Sequence, residues 1–184
     1  MKSLNSRKIF KKDNVKLNQL STIFFDVDGI FTDGGLYISD DTISMTRFNV
    51  HDGLGCILLK EIGIKLIILT ARHSEAVIRR FKDLGIDEIF TKILKKKEFI
   101  KEYAKSNNLK KYQLAMVGDD LQDLAVINQV GMFFTTPNAI DCVKDRAHYI
   151  TKRFGGDGAV RGICDLIICS KGISPSLVFD SFIE

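Results

Sequence analysis

The chain has 184 residues, 45% of them hydrophobic and 27% charged, with a formal net charge of +4. That length suits one domain with a sizeable core and is short for two, and the composition excludes a disordered or fibrous chain. Much of the positive excess sits in Lys2, Arg7, Lys8, Lys11, Lys12 and Lys16. No amphipathic or aromatic pattern accompanies these residues, so 1–20 reads as a basic N-terminal extension and not as a nucleic-acid or membrane contact. No apolar run approaches the ~20 residues that span a bilayer, and the first twenty residues lack the apolar core of a signal peptide. Cys56, Cys142, Cys164 and Cys169 form no Cys-x-x-Cys pair, which argues for reduced core thiols and against a zinc site. The expectation is a cytoplasmic protein that binds neither nucleic acid nor membrane.

"STIFFDV" predicts a first strand. "GGLYISDDTISMTRFNV" predicts two short strands around a turn at Asp40 and Asp41, a hairpin over 35–49. "GLGCILLKEIG" has helical spacing and ends at Gly63. The continuous apolar run "IKLIILT" suits a strand covered on both faces. "SEAVIRRFKDLG" is a helix with Ser74 as N-cap and Gly85 beyond its end. "DEIFT" is a short strand, "KKKEFIKEYAKSNN" an amphipathic helix, "YQLAMVG" a third apolar strand and "LQDLAVINQVG" a helix. "MFFTT" and "AHYIT" are short strands, "GAVRGICDLIICSKG" is a helix, and 173–184 is a tail without a clear pattern. This alternation predicts an α/β fold, a Rossmann-like parallel sheet flanked by helices, with the hairpin as an insertion. No repeat or linker divides 1–184, which reads as a single domain.

In open parallel sheets, ligands bind beyond the carboxyl ends of the strands. Asp26 and Asp28 close the first strand, Thr70 and Arg72 the second long one, and Asp119 and Asp120 the third. Lys96 opens a helix after a short strand, although Lys95 and Lys97 flank it and spacing alone does not choose among the three. Asp26, Asp28 and Asp119 are hard oxygen donors suited to Mg2+, which would also offset their mutual repulsion. Asp123, at a helix start, reads as a cap. Asp26 suits nucleophilic attack on phosphorus. Asp28, two residues along a strand and so on the same side, suits proton transfer. Thr70 and Lys96 suit the non-bridging phosphate oxygens.

Together "DVDG" followed by "TDG", "LTAR", the lysine and "GDDLQD" resemble the four motifs of the haloacid dehalogenase superfamily. "DGGLYISDDTISMTRFNVHDGLG" and "GGDGAVRGICDLI" are similar to one of its families, the 3-deoxy-D-manno-octulosonate 8-phosphate phosphatases. The similarity covers roughly residues 20 to 172. It implies a haloacid dehalogenase-like core in which the hairpin replaces a cap domain. It implies a homotetramer whose neighbouring subunits close each site. The implied reaction is Mg2+-dependent phosphomonoester hydrolysis through an aspartyl-phosphate, in lipopolysaccharide precursor synthesis. By position it implies Asp26 as nucleophile and metal ligand, and Asp28 as acid/base offering its backbone carbonyl to the metal. Asp119 becomes a further ligand, and Thr70 and Lys96 hold phosphate. Substrate contacts fall on Asn49, Val50, His51, Asp52, Gly53, Arg72, Arg80, Lys96 and Asp120. Arg72 and Arg80 suit a sugar-acid carboxylate, which a guanidinium grips with two hydrogen bonds.

The sequence departs from the family at His51, where lysine or arginine is common, at Ile57, which is arginine in some members, and in "TAR", where "TGR" is commoner. The first two put the exact substrate in question and leave nine-carbon nonulosonic acid 9-phosphates as an alternative. A phospho-acceptor domain is a competing class, but Asp28 beside Asp26 favours turnover over storage of the phosphoryl group. A non-catalytic partner module is a third, disfavoured by the intact motifs. "FGGDGAVRG" follows no long strand and lacks a Walker lysine, so it reads as a loop feeding the last helix and not as a nucleotide site. Arg161 within it is a further candidate for the active site. Asp33 has no role beyond shaping the turn into the hairpin.

Overall fold

The computed structural model describes residues 17–37 and 45–183. The N-terminal lysines and arginine and the hairpin turn at Asp40 and Asp41 lie outside the described residues. Six parallel strands form one sheet: β1 (Thr22–Phe25), β2 (Lys65–Leu69), β3 (Ile89–Phe90), β4 (Leu114–Val117), β5 (Met132–Thr135) and β6 (Tyr149–Ile150), in the order β3-β2-β1-β4-β5-β6. The helices are α1 (Val50–Glu61), α2 (Glu75–Asp83), α3 (Lys96–Ser106), α4 (Leu121–Leu124), α5 (Asp141–Arg146), α6 (Ala159–Ser170) and α7 (Pro175–Ile183).

The two-residue period of a strand sends alternate side chains to opposite faces. Ile23 and Phe25 of β1, Ile68 of β2 and Val117 of β4 join α1 and α6 residues in one apolar cluster. Phe24, Ile67 and Met116 join Ile100 of α3 in the other. Every residue of β1 is buried, so the strand is anchored from both sides and its end is fixed in space. The strand order reverses direction at β1, which pairs with β2 on one side and β4 on the other, Phe25 lying opposite both Ile68 and Val117. A crevice at the carboxyl ends of β1 and β4 is where such a sheet receives a ligand.

Several elements differ from those the sequence predicts. The helix expected over "LQDLAVINQVG" is a single turn, α4, which ends where the chain turns tightly through Ala125–Gln129. Helix α5, unforeseen, links β5 to β6. The first helix starts earlier than its apolar pattern, at Val50, because Asn49 Oδ1 accepts the His51 N–H at 2.9 Å and caps it. The C-terminal segment is helical, with Val178 buried. Cys56 and Cys164 are core thiols, but Cys142 and Cys169 are exposed. Ser74 does cap α2, accepting the Val77 N–H. An antiparallel bridge joins Tyr37 to Met45, the described residues on either side of the expected turn. Asp33 shapes the approach to it, accepting the Gly35 N–H at 2.9 Å and facing Arg47 at 3.9 Å. Among the described residues no single helix is long and apolar enough to cross a membrane.

Candidate active site

Asp26 follows β1 directly, and its N–H donates to the Val117 carbonyl at 2.9 Å, which extends the ladder with β4 by one rung. The residue is 8% exposed. Lys96, the first residue of α3, is 2% exposed and donates to Asp26 Oδ1 at 2.7 Å and to Asp123 Oδ1 at 2.6 Å. Burial separates Lys96 from its flanking lysines, both of which are exposed.

Asp123 does more than the sequence suggests. It caps α4, with Oδ2 accepting the Asp119 N–H at 3.0 Å and the Asp120 N–H at 3.3 Å. It is also 1% exposed and supplies the second anchor of Lys96. Oxygens of Asp26, Asp119 and Asp123 lie within 4.8 Å of one another, so the third carboxylate of the cluster is Asp123. The Asp28 carboxylate is not in that cluster. It turns to Arg72, whose Nη1 lies 3.1 Å from Oδ1.

The electrostatics follow from this crowding. Burial, with the Asp123 carboxylate beside it, raises Asp26 to about 7 against the opposing pull of Lys96. Burial, then Asp123, Asp26 and Asp120, raise Asp119 to about 7. Burial alone would lower the Lys96 ammonium, but Asp123 and Asp26 outweigh it and its pKa is raised. Three carboxylates facing one ammonium leave a deficit that a divalent cation would meet.

Thr70 closes β2, buried, and its hydroxyl accepts the Arg72 N–H at 3.1 Å. Thr70, Arg72, Asp28, Val27 and Thr46 line one small cleft. The other expected substrate contacts are more dispersed. Arg80 packs its guanidinium against Gly53. Asp120 is exposed and caps α4, accepting the Leu121 N–H at 2.7 Å. Val50 is exposed. His51 lines a groove of about 630 Å³ with Lys152, Arg153 and Arg161, which shares no lining residue with the Thr70 cleft. Asp52, expected at the substrate, is 1% exposed and accepts the Arg161 N–H at 2.7 Å, which bonds the start of α6 to α1. Burial raises its pKa, and the bond from the Arg161 N–H offsets part of that. Arg161 itself turns to Asp165, Nε to Oδ1 at 2.8 Å.

Residues 86–163 match a family model described as haloacid dehalogenase-like hydrolase. The 3-deoxy-D-manno-octulosonate 8-phosphate phosphatase KdsC of Haemophilus influenzae is 33% identical over 166 residues, 90% of this chain and 91% of the relative. The chain belongs to the 3-deoxy-D-manno-octulosonate 8-phosphate phosphatase family. The Escherichia coli K12 member is 32% identical over 164 residues, 89% of this chain and 85% of the relative. The crystal structure of the Moraxella catarrhalis phosphatase, a complex with magnesium, phosphate and KDO, superimposes with a TM-score of 0.84 at 35% identity, covering 92% of this chain and 95% of that one. The cobalt-bound Haemophilus influenzae phosphatase gives 0.81 at 32% identity, covering 85% and 92%.

Proposed function

We propose that the protein hydrolyses 3-deoxy-D-manno-octulosonate 8-phosphate to the free sugar acid and phosphate, with Mg2+ as cofactor. One observation carries the reading: four strand ends and helix starts deliver Asp26, Asp119, Asp123 and Lys96, all buried but the half-buried Asp119, to one cluster at the sheet's switch point. The family relatives, matched over nearly their full length, narrow the substrate. The magnesium-bound and cobalt-bound relatives support the cofactor.

The donor set fits a divalent cation that prefers oxygen ligands. Asp26 and Asp119 would hold it, with the Asp28 backbone carbonyl. Asp123 braces the site, since both of its oxygens already accept donors. When bound, the ion neutralises carboxylates and phosphate oxygens so that an anion can attack an anion.

Asp26 then attacks phosphorus, forming a carboxylate-oxygen-to-phosphorus bond while the bond from phosphorus to the sugar oxygen breaks. Asp28 gives its proton to that leaving oxygen. In the second half a water displaces Asp26 from phosphorus, and Asp28 takes the proton the water releases. Lys96 and Thr70 donate to the non-bridging oxygens throughout. Arg72 and Arg80 are assigned to the sugar-acid carboxylate. His51 and the 35–49 hairpin are assigned to the substrate-facing edge, and the assembly to a homotetramer. Exposed Leu36, Tyr37, Met45 and Val50 around the base of the hairpin support an interface there.

A steady-state phosphate-release assay tests the reading. The eight-carbon substrate should give a higher kcat/KM than nine-carbon nonulosonic acid phosphates and hexose phosphates. A preference for hexose phosphates would overturn the substrate. A monomer by sedimentation would overturn the assembly.

A further inference from the structure

The loop after β1 is held by groups that the proposed reaction does not use. Gly29 adopts φ +77°, and the space where a Cβ would sit is taken by Asp119 Oδ2. Its N–H donates to Thr32 Oγ1 at 3.2 Å. Its carbonyl accepts from Asn138 Nδ2 at 2.9 Å and from the buried Thr136 Oγ1 at 3.3 Å. The other end of the Asn138 amide, Oδ1, accepts the Gly155 N–H at 2.8 Å. Gly155 in turn lies so close to the Gly29 carbonyl that any side chain there would collide with it, and the Gly156 N–H donates to the Ile30 carbonyl at 3.1 Å.

One amide therefore ties the "DVDG" loop to the "FGGDG" loop, which lie more than a hundred residues apart in sequence. It needs both of its ends. A carbonyl oxygen demands a donor and a backbone N–H an acceptor, and asparagine offers both in one short side chain. Only one orientation of the amide satisfies the two partners. Aspartate keeps the acceptor but sets a second acceptor against the Gly29 carbonyl.

We propose that Asn138 is a positioning residue for phosphoryl transfer, acting through Gly29 to fix the Asp28 and Asp119 carboxyl groups relative to Asp26. The Gly29 carbonyl sets the orientation of the segment that carries Asp28. The Gly29 Cα is the surface on which the Asp119 carboxylate rests. Release of that carbonyl lets both groups shift, and a displacement of about 1 Å at a reacting group costs up to about a hundredfold in rate.

The inference rests on the proposed phosphatase reading, so the test uses two readouts. Asn138→Asp and Asn138→Ala are compared with wild type in the full-length chain. The readouts are kcat and KM for the eight-carbon substrate, and the rise in Tm on adding magnesium without substrate. Asn138→Asp should lower kcat by about tenfold to a hundredfold with little change in KM, and should shrink the magnesium-induced rise in Tm. A merely structural residue would lower the metal-free Tm and leave both of these readouts, per folded molecule, unchanged. Should the Asn138 variants fold poorly, Thr136→Val removes only the longer bond to the same carbonyl and should give a smaller fall in the same direction. Wild-type kcat together with a wild-type magnesium shift in the Asn138→Asp protein would overturn the inference. If wild type itself releases no phosphate, the phosphatase reading fails, and the magnesium shift alone still decides the role of Asn138.

Discussion

Lys96→Met removes the ammonium that, among the described residues, is bound to the acidic cluster, while keeping most of the side chain's volume. Its Nζ sits 2.7 Å from Asp26 and 2.6 Å from Asp123, behind a side chain that is almost wholly buried. Removing one partner of a buried pair costs about 3–5 kcal/mol, because the remaining charge is left uncompensated. Protonation relieves part of that cost. With Lys96 present Asp26 is raised to about 7, and losing the ammonium's opposing pull moves it further up in the variant. At pH 5 Asp26 is then largely neutral in both proteins, so the loss in unfolding free energy should be clearly larger at pH 8 than at pH 5. Urea denaturation of both proteins without metal, at the two pH values, measures it. Activity should fall about 10²–10³-fold in kcat, the usual cost of deleting one donor to transition-state charge. Equal destabilisation at pH 5 and pH 8, or a loss below about 1 kcal/mol at pH 8, would refute the charge argument.

Gly29→Ala must place a non-glycine residue in the left-handed region, at about 1–2 kcal/mol, and drive its Cβ into the Asp119 carboxylate. Calorimetry should show a modest loss of Tm while magnesium affinity and kcat fall steeply; intact magnesium affinity would contradict it. Asp26 and Asp119, both raised to about 7 from 3.8, bind more protons folded than unfolded between those values. Their effect on the metal-free protein is therefore to reduce stability as pH rises from about 4 through 7. Magnesium competes with those protons, so the rise in Tm on adding magnesium should be larger at pH 8 than at pH 5.5; a pH-independent shift would argue that neither carboxylate takes part. Asp52→Ala should cost about 1–2 kcal/mol by removing the acceptor of the Arg161 N–H at the start of α6 and leave kcat/KM nearly unchanged, whereas a large rise in KM would return Asp52 to the substrate.

The sheet was legible because its strands are apolar runs that end in polar residues at one edge. "IKLIILT" and "YQLAMVG" have few other readings. Asp26 and Asp119 stand out for the same reason, each following such a run, and their carboxylates lie together. Lys96 was ambiguous among three lysines because burial, the property that separates it, depends on where β1 and α4 place Asp26 and Asp123. Asp123 was read only as a cap because that role is local, four residues from Asp119, while its bond to Lys96 spans 27 residues. Asp52 and Asn138 act across 109 residues on Arg161 and Gly29, distances over which periodicity and spacing carry no signal. Helix α5 has six residues, too few to show a period.

The central claim is that Asp26 carries the phosphoryl group between substrate and water. The stereochemistry at phosphorus tests it most directly. An isotopically chiral phosphorothioate analogue of the eight-carbon substrate, hydrolysed by the magnesium enzyme in labelled water, reports whether one or two displacements occur. Two in-line displacements, through Asp26 and then water, predict net retention of configuration. Net inversion would mean that water attacks phosphorus directly and would contradict the account.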